Sequence, residues 1–166
     1  MPTTATSSSS TQTRTSDART LCAAFQATAG AVPDAVALRT PGGRTELTWR
    51  EYAERVRCLA GGLAAHGIGK GDTVAMMLTN RPEGHLIDAA ALHLGAIPFS
   101  IYNTSAPEQV EHLLGHADCT VAVTERQFAE RLLAVRRALP ALRYVFVVDG
   151  AHPGASDLEE LEAATE

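Results

Sequence analysis

Three short runs, "TVAMML" (73–78), "CTVAVT" (119–124) and "YVFVV" (144–148), interrupt a chain whose apolar residues otherwise recur at helical spacing. Each run is continuously apolar rather than alternating, as expected of a strand covered on both faces. Between the runs the period changes. Tyr52, Val56, Leu59, Ala60 and Leu63 form one helical stripe, and Phe128, Leu132, Val135 and Leu139 form another. A strand buried on both faces needs a helix on each side, and a parallel neighbour needs a crossover long enough to be a helix. The pattern predicts an α/β fold, a mostly parallel sheet with flanking helices.

The same reading places helices at about 18–29, 49–66, 82–94, 106–116 and 125–139, and a further strand in "IPFSIY" (97–102). Two short strands, "AVALRT" and "RTELTW", joined by Pro41-Gly42-Gly43, read as a β-hairpin preceding the sheet. Thr48…Glu51, Asn80…Glu83, Ser105…Glu108, Thr124…Gln127 and Ser156…Glu159 each put a capping oxygen three residues before a carboxylate or amide. That spacing predicts capping boxes, so Glu51, Glu83 and Glu108 are read as caps before catalytic acids. Three regions follow: a Ser/Thr-rich tail (1–17) expected to be disordered, an α/β unit (18–150), and an acidic C-terminal segment (151–166).

Charge narrows the function classes. Six acids and no Lys or Arg lie between Asp149 and Glu166, while the remainder holds 13 acids against 14 bases. No basic stripe is available for a nucleic-acid partner. Cys22, Cys58 and Cys119 are widely spaced and contain no CxxC pair, which predicts reduced, half-buried thiols in a cytoplasmic protein. The longest apolar stretch, Leu86 to Tyr102, is broken by Asp88, His93, Gly95 and Pro98, and no transmembrane segment is expected.

Ligands of parallel sheets gather beyond the carboxyl ends of the strands. Here those ends are the loops "TNRPE" (79–83) and "NTSAPE" (103–108), and their position makes Asn80, Tyr102, Asn103 and Thr104 the candidate substrate-binding residues. "HGIGKGDTV" (66–74) resembles a phosphate cradle only in composition. Lys70 is followed by Gly71-Asp72 instead of a hydroxyl, and the stretch leaves a helix for a strand, whereas a phosphate loop runs from strand to helix. It reads as a hinge, with Gly67 as the left-handed residue after the helix end. His112 and His116 with Cys119 beyond could be imagined as metal ligands, but no third cluster supports them, and a solvated helix edge is the expectation. No catalytic residue, cofactor-binding residue or metal ligand is assigned.

The segment "LTWREYAERVRCLAGGLAAHGIGKGDTVAMMLTNRPE", with "LGAIPFSIYNTSAPEQVEHLL" after it, resembles the N-terminal part of the AMP-forming acyl-CoA synthetases, the adenylate-forming ligase superfamily. The resemblance runs from about residue 20 to 160, and the "IYNTSAPEQ" form is similar to the long-chain fatty-acid branch. It implies an incomplete N-terminal subdomain of that fold. For a complete enzyme it implies ATP, Mg2+ and coenzyme A, with a fatty acid converted to an acyl-adenylate and then to acyl-CoA. The Gly-rich "TSGTTGxPKG" loop, the "YGxTE" glutamate, the ribose-holding aspartate and the C-terminal lysine of the family have no counterpart here, so the chain is expected to be inactive alone. A C-terminal ligase fragment or self-association would supply its partner; the alternative is a non-catalytic interaction or dimerisation module.

Overall fold

A computed structural model describes residues 17–164. The tail expected to be disordered lies, up to residue 16, outside the described residues. The first helix, α1 (Leu21–Ala31), starts at Thr20, whose hydroxyl accepts the Ala23 N–H at 3.1 Å. Strands β1 (Val36–Arg39) and β2 (Glu46–Thr48) pair antiparallel around Pro41–Gly43, giving the expected hairpin. Helix α2 (Trp49–Ala65) follows at once. Then come β3 (Thr73–Met77), α3 (Pro82–His93), β4 (Ile97–Ser100), α4 (Pro107–His116), β5 (Val121–Thr124), α5 (Arg126–Arg136), β6 (Tyr144–Val147), β7 (Ser156–Asp157) and α6 (Leu158–Ala163).

The second sheet has the order β4-β3-β5-β6-β7, and all its pairings are parallel. Alternation along the strands divides the core in two. Val74, Met76, Val121, Val123 and Phe146 face one side, where Val56, Leu59 and Leu63 of α2, Leu86 and Ala90 of α3, and Leu158 and Leu161 of α6 cover them. Ala75, Met77, Ala122 and Val145 face the other, beneath Val110 and Leu114 of α4 and Leu132 and Val135 of α5. The two-sided burial predicted from the apolar runs is present. At the free edge, Ile97 and Ile101 donate their N–H groups to Asp72 and Met76 on the β3 side. By alternation the donorless nitrogen of Pro98 faces outward, which blunts that edge.

Only one of the five expected capping boxes forms as expected. Glu51 Oε2 accepts the Thr48 N–H at 2.8 Å, and the Thr48 hydroxyl accepts the Glu51 N–H at 3.3 Å. Elsewhere the cap moves one residue. Pro82 and Pro107 each take the first helical position, which makes Arg81 and Ala106, not Asn80 and Ser105, the N-caps. The last strand residue, Thr124, is held in the sheet, where its hydroxyl donates to Met77 O, so Glu125 becomes the N-cap of α5. Ser156 is likewise in a strand, and Asp157 caps α6 through the Glu159 N–H.

The acidic segment continues the layer. After β6 the chain adds β7 beside it, and α6 lies across α2. Arg55 of α2 meets Glu162 of α6 at 2.5 Å, and Leu158 and Leu161 are buried.

Candidate functional site at the strand ends

The direction of chain growth changes between β3 and β5. From β3 the chain steps outward to β4 and then crosses back over β3 to β5, with α3 on one face and α4 on the other. In open parallel sheets that reversal opens a crevice at the strand ends, where ligands usually bind. Here the crevice is filled by the chain's own side chains. The carboxylate of Glu125 is buried and accepts the Thr79 N–H, and Gln127 donates to its other oxygen at 2.8 Å. Arg81 lies alongside, 2.7 Å from Glu83, 2.6 Å from Asp149 and 3.7 Å from Glu125. Asp149 in turn accepts the Arg126 N–H at 3.1 Å. One guanidinium thus ties the loops after β3, β5 and β6 through three carboxylates.

The electrostatics follow from that arrangement. Burial pushes the Glu83 and Glu125 carboxyls up, but hydrogen bonds and charge from Arg81, and for Glu125 the Thr79 N–H, outweigh it and hold both below the ordinary value. Arg81 is held protonated by Glu83 and Asp149 against its own desolvation. Three acids around one base, with Arg126 at the margin, leave the crevice short of positive charge. It does not suit an incoming triphosphate, which needs cations and free N–H donors.

Beside this network, on the β4 side, an open cavity of about 340 Å3 is lined by Met76, Leu78, Asn80, Arg81, His85, Asp88 and Ser100 among others. Of the four candidate substrate-binding residues, Asn80 lines this cavity. Tyr102, Asn103 and Thr104 do not line this cavity. Tyr102 is 84% exposed, and the turn after it is pinned from outside by Arg131, which donates to Asn103 O at 2.7 Å and Ser105 O at 3.0 Å. Sequence reading missed Arg81, Glu125, Asp149 and Asp88. A usable signal existed for Arg81, the only base in either strand-end loop.

The Gly-Lys stretch is a helix stop. Ile68 N–H bonds Leu63 O at 3.0 Å and Gly67 N–H bonds Ala64 O at 2.9 Å, with Gly67 at φ 83°, the Schellman pattern. Two further glycine donors are engaged as well: Gly69 N–H by Asp72 Oδ2 at 2.8 Å, Gly71 N–H by Gly95 O at 3.0 Å. His112 and His116 stack on the exposed face of α4, while Cys119 is buried and donates to Val121 O, so the three are not brought together. Among the described residues no three His, Cys, Asp or Glu side chains are grouped to hold a metal ion, and no helix is long and apolar enough to cross a membrane. The described residues accordingly fit neither Mg2+ nor the phosphates of ATP.

Comparison with known proteins places this geometry. Residues 25–166 match the family of AMP-binding enzymes. Uncharacterized protein Rv1549 of Mycobacterium tuberculosis is 45% identical over 144 residues, covering 87% of this chain and 81% of that protein. Long-chain-fatty-acid–CoA ligase FadD15 of Mycobacterium bovis is 34% identical over 114 residues, covering 68% of this chain and 19% of the ligase. Among solved structures, a protein described as a long-chain-fatty-acid CoA ligase of Rhodopseudomonas palustris superposes with a TM-score of 0.79 at 26% identity, over 86% of this chain and 36% of that one. The chain thus spans most of the mycobacterial relative but about a fifth of the ligase FadD15 it matches.

Proposed function

The chain belongs to the AMP-binding enzyme family, and we propose that it is the N-terminal portion of a fatty-acid–CoA ligase, contributing scaffold and part of an acyl-pocket wall and inactive by itself. The observation that carries this reading is the filled crevice. Glu125, Glu83 and Asp149 surround Arg81 where a phosphate would need positive charge, and the glycines of the glycine-lysine turn have committed their N–H donors, Gly67 to Ala64 O, Gly69 to the Asp72 carboxylate and Gly71 to Gly95 O. In the complete ligase, ATP, Mg2+ and coenzyme A serve a fatty-acid substrate, with the phosphate-binding groups supplied by polypeptide outside this region. A cytoplasmic location accompanies the proposal.

The purified 166-residue chain should show no fatty-acid-dependent ATP–pyrophosphate exchange. Adding, in trans, a polypeptide comprising the rest of a fatty-acid–CoA ligase should restore exchange. Exchange by the chain alone would overturn the inactivity, and no exchange with the complement would count against the shared assembly. Within such a reconstituted enzyme, alanine at Asn80, Tyr102, Asn103 or Thr104 should raise the fatty-acid KM with kcat little changed, because these residues are proposed as pocket wall.

One observation favours a second reading, a non-catalytic interaction or dimerisation module: Rv1549 matches this chain over four-fifths of its own length. That reading requires a concentration-dependent dimer or a stable complex. A monomer by sedimentation at all concentrations, together with successful complementation, would exclude it.

A further inference from the structure

We propose that the apolar cavity between α1, the start of α2 and α3 is a binding site for a small, uncharged aromatic compound. The site lies apart from the strand ends and is independent of the ligase reading.

Helix α1 gives the first sign. Its 11 residues, "LCAAFQATAGA", carry no charge, yet Ala29 alone among them is buried. A helix with no charged face is expected to be covered all round. Here Leu21 is 75% exposed, Phe25 is half-buried, and a cavity of about 300 Å3 opens between the helices. Its walls are Leu21, Ala24 and Phe25 of α1, Trp49 and Tyr52 of α2, and Leu92 of α3. Water solvates such a surface poorly, and a ligand gains by covering it.

The polar groups that reach these walls are satisfied inside the protein. The Tyr52 hydroxyl donates to His85 O at 3.0 Å, and the Thr28 hydroxyl to Ala24 O at 2.9 Å. His93 donates from Nδ1 to Ala89 O at 2.7 Å, and its Nε2 accepts from the Gln26 amide at 3.0 Å. The walls therefore offer apolar contact rather than hydrogen bonds. The one carboxylate, Asp88, stands exposed at the rim, in water, where it repels an anion.

The ring array selects an aromatic ligand. Phe25 meets Tyr52 edge-on with 4.9 Å between ring centres, Trp49 at 5.6 Å and His93 at 5.3 Å. A further ring extends this edge-to-face array, which favours aromatic ligands beyond the area they bury. A closed apolar cavity of about 150 Å3 takes up benzene, so this larger one has room for a substituted ring.

The full chain, 15N-labelled, is titrated with benzyl alcohol, its saturated analogue cyclohexylmethanol, and benzoate while amides are followed by NMR. Trp49 is the only tryptophan, so its indole N–H reports the cavity wall directly. Benzyl alcohol should shift it saturably, together with amides around 21–28 and 88–93, with Kd of about 1–10 mM, ordinary for so small a ligand. Cyclohexylmethanol should bind about three- to tenfold more weakly for want of the ring contacts, and benzoate also more weakly. Ala24→Leu, which fills the cavity from α1 with a good helix former, should weaken benzyl alcohol about tenfold while distant amides keep their shifts. A second readout needs no variant. Cys22 lines the cavity and Cys58 does not, and both are half-buried. Saturating benzyl alcohol should slow iodoacetamide alkylation of Cys22 about threefold or more and leave that of Cys58 unchanged. Absence of saturable shifts, an unprotected Cys22, or undiminished affinity in Ala24→Leu overturns the proposal. So does binding of cyclohexylmethanol or benzoate as tight as that of benzyl alcohol.

Discussion

Gly62 of α2 lies directly beneath the backbone carbonyl of Leu161 in α6. A Cβ built on Gly62 would overlap Leu161 O and fall 2.9 Å from its carbonyl carbon and its Cγ. Glycine in a helix interior costs about 1 kcal/mol relative to alanine, so α2 gives up propensity here to let α6 approach. The Arg55–Glu162 ion pair and the buried Leu158 flank the same crossing.

Gly62→Ala should therefore destabilise the protein by about 2–3 kcal/mol, the cost of overpacking against backbone outweighing the gain in propensity. Gly30, near the end of α1, has nothing within 4 Å of a built Cβ and no positive φ. Gly30→Ala should stabilise by about 0.5–1 kcal/mol. Urea denaturation midpoints compare the two. A Gly62→Ala midpoint equal to that of the parent would mean that α6 is not seated on α2.

Three helix ends share one geometry with different residues at its strained position. After α2, α3 and α4 the chain turns through the same pair of backbone bonds, and the left-handed residue is Gly67, Gly95 and Asp118 respectively. Asp118, at φ 47°, bears a Cβ in a conformation that glycine adopts freely. Asp118→Gly should raise stability by about 0.5–1 kcal/mol. Gly67→Ala should lower it by about 1 kcal/mol, and Gly95→Ala by somewhat more because its Cβ would also press on Lys70 Cγ at 3.3 Å. Thermal melts of the three variants test the order.

The sheet and its helices were legible because burial on both faces leaves an unbroken apolar run, and because a helix stripe survives in any packing. The caps were less legible. A Ser/Thr-x-x-Glu spacing is satisfied equally by a cap or by a strand's last residue, and Thr124 and Ser156 fell on the strand side because sheet hydrogen bonds claimed them. The start of α6 was marked by Ser156…Glu159, one residue from the observed cap Asp157, but its extent was not legible, because its two buried leucines, Leu158 and Leu161, are too few to show a period. The place of Asn80 in the loop after β3 was legible from the order of elements alone. The Arg81 network was not, since Asp149 lies 68 residues from Arg81 and only the strand order brings them together.

That network has a pH signature. Glu83 and Glu125 sit below the ordinary carboxyl value of 4.5 in the folded chain, so folding favours their ionised forms. Their contribution is complete above about pH 5 and is lost as pH falls through the depressed folded values, where protonation releases Arg81. Arg81→Met removes the cation and leaves three carboxylates together. It should cost about 2 kcal/mol at pH 7, partial exposure reducing the figure expected for a fully buried pair, and the penalty should shrink below pH 4. Urea titrations of both proteins from pH 3 to 7 measure it. A penalty independent of pH would show that Arg81 contributes by packing alone.

The glycine-lysine turn separates a hinge from an anion seat by which residue matters. If the stretch is a helix stop closed by its own hydrogen bonds, Asp72 is the structural residue, because its carboxylate accepts the Gly69 N–H at 2.8 Å. Asp72→Ala should then cost about 1 kcal/mol. Lys70 is exposed and forms no ion pair among the described residues, so Lys70→Ala should stay within about 0.5 kcal/mol of the parent. A phosphate cradle demands the reverse: loss of Lys70 would abolish nucleotide uptake, and loss of Asp72, by removing a repelling charge, would enhance it. Calorimetric titration with Mg2+-ATP decides between them. The hinge requires no saturable heat from the parent, from Lys70→Ala or from Asp72→Ala, whereas a binding isotherm that vanishes with Lys70 would make the turn an anion site after all.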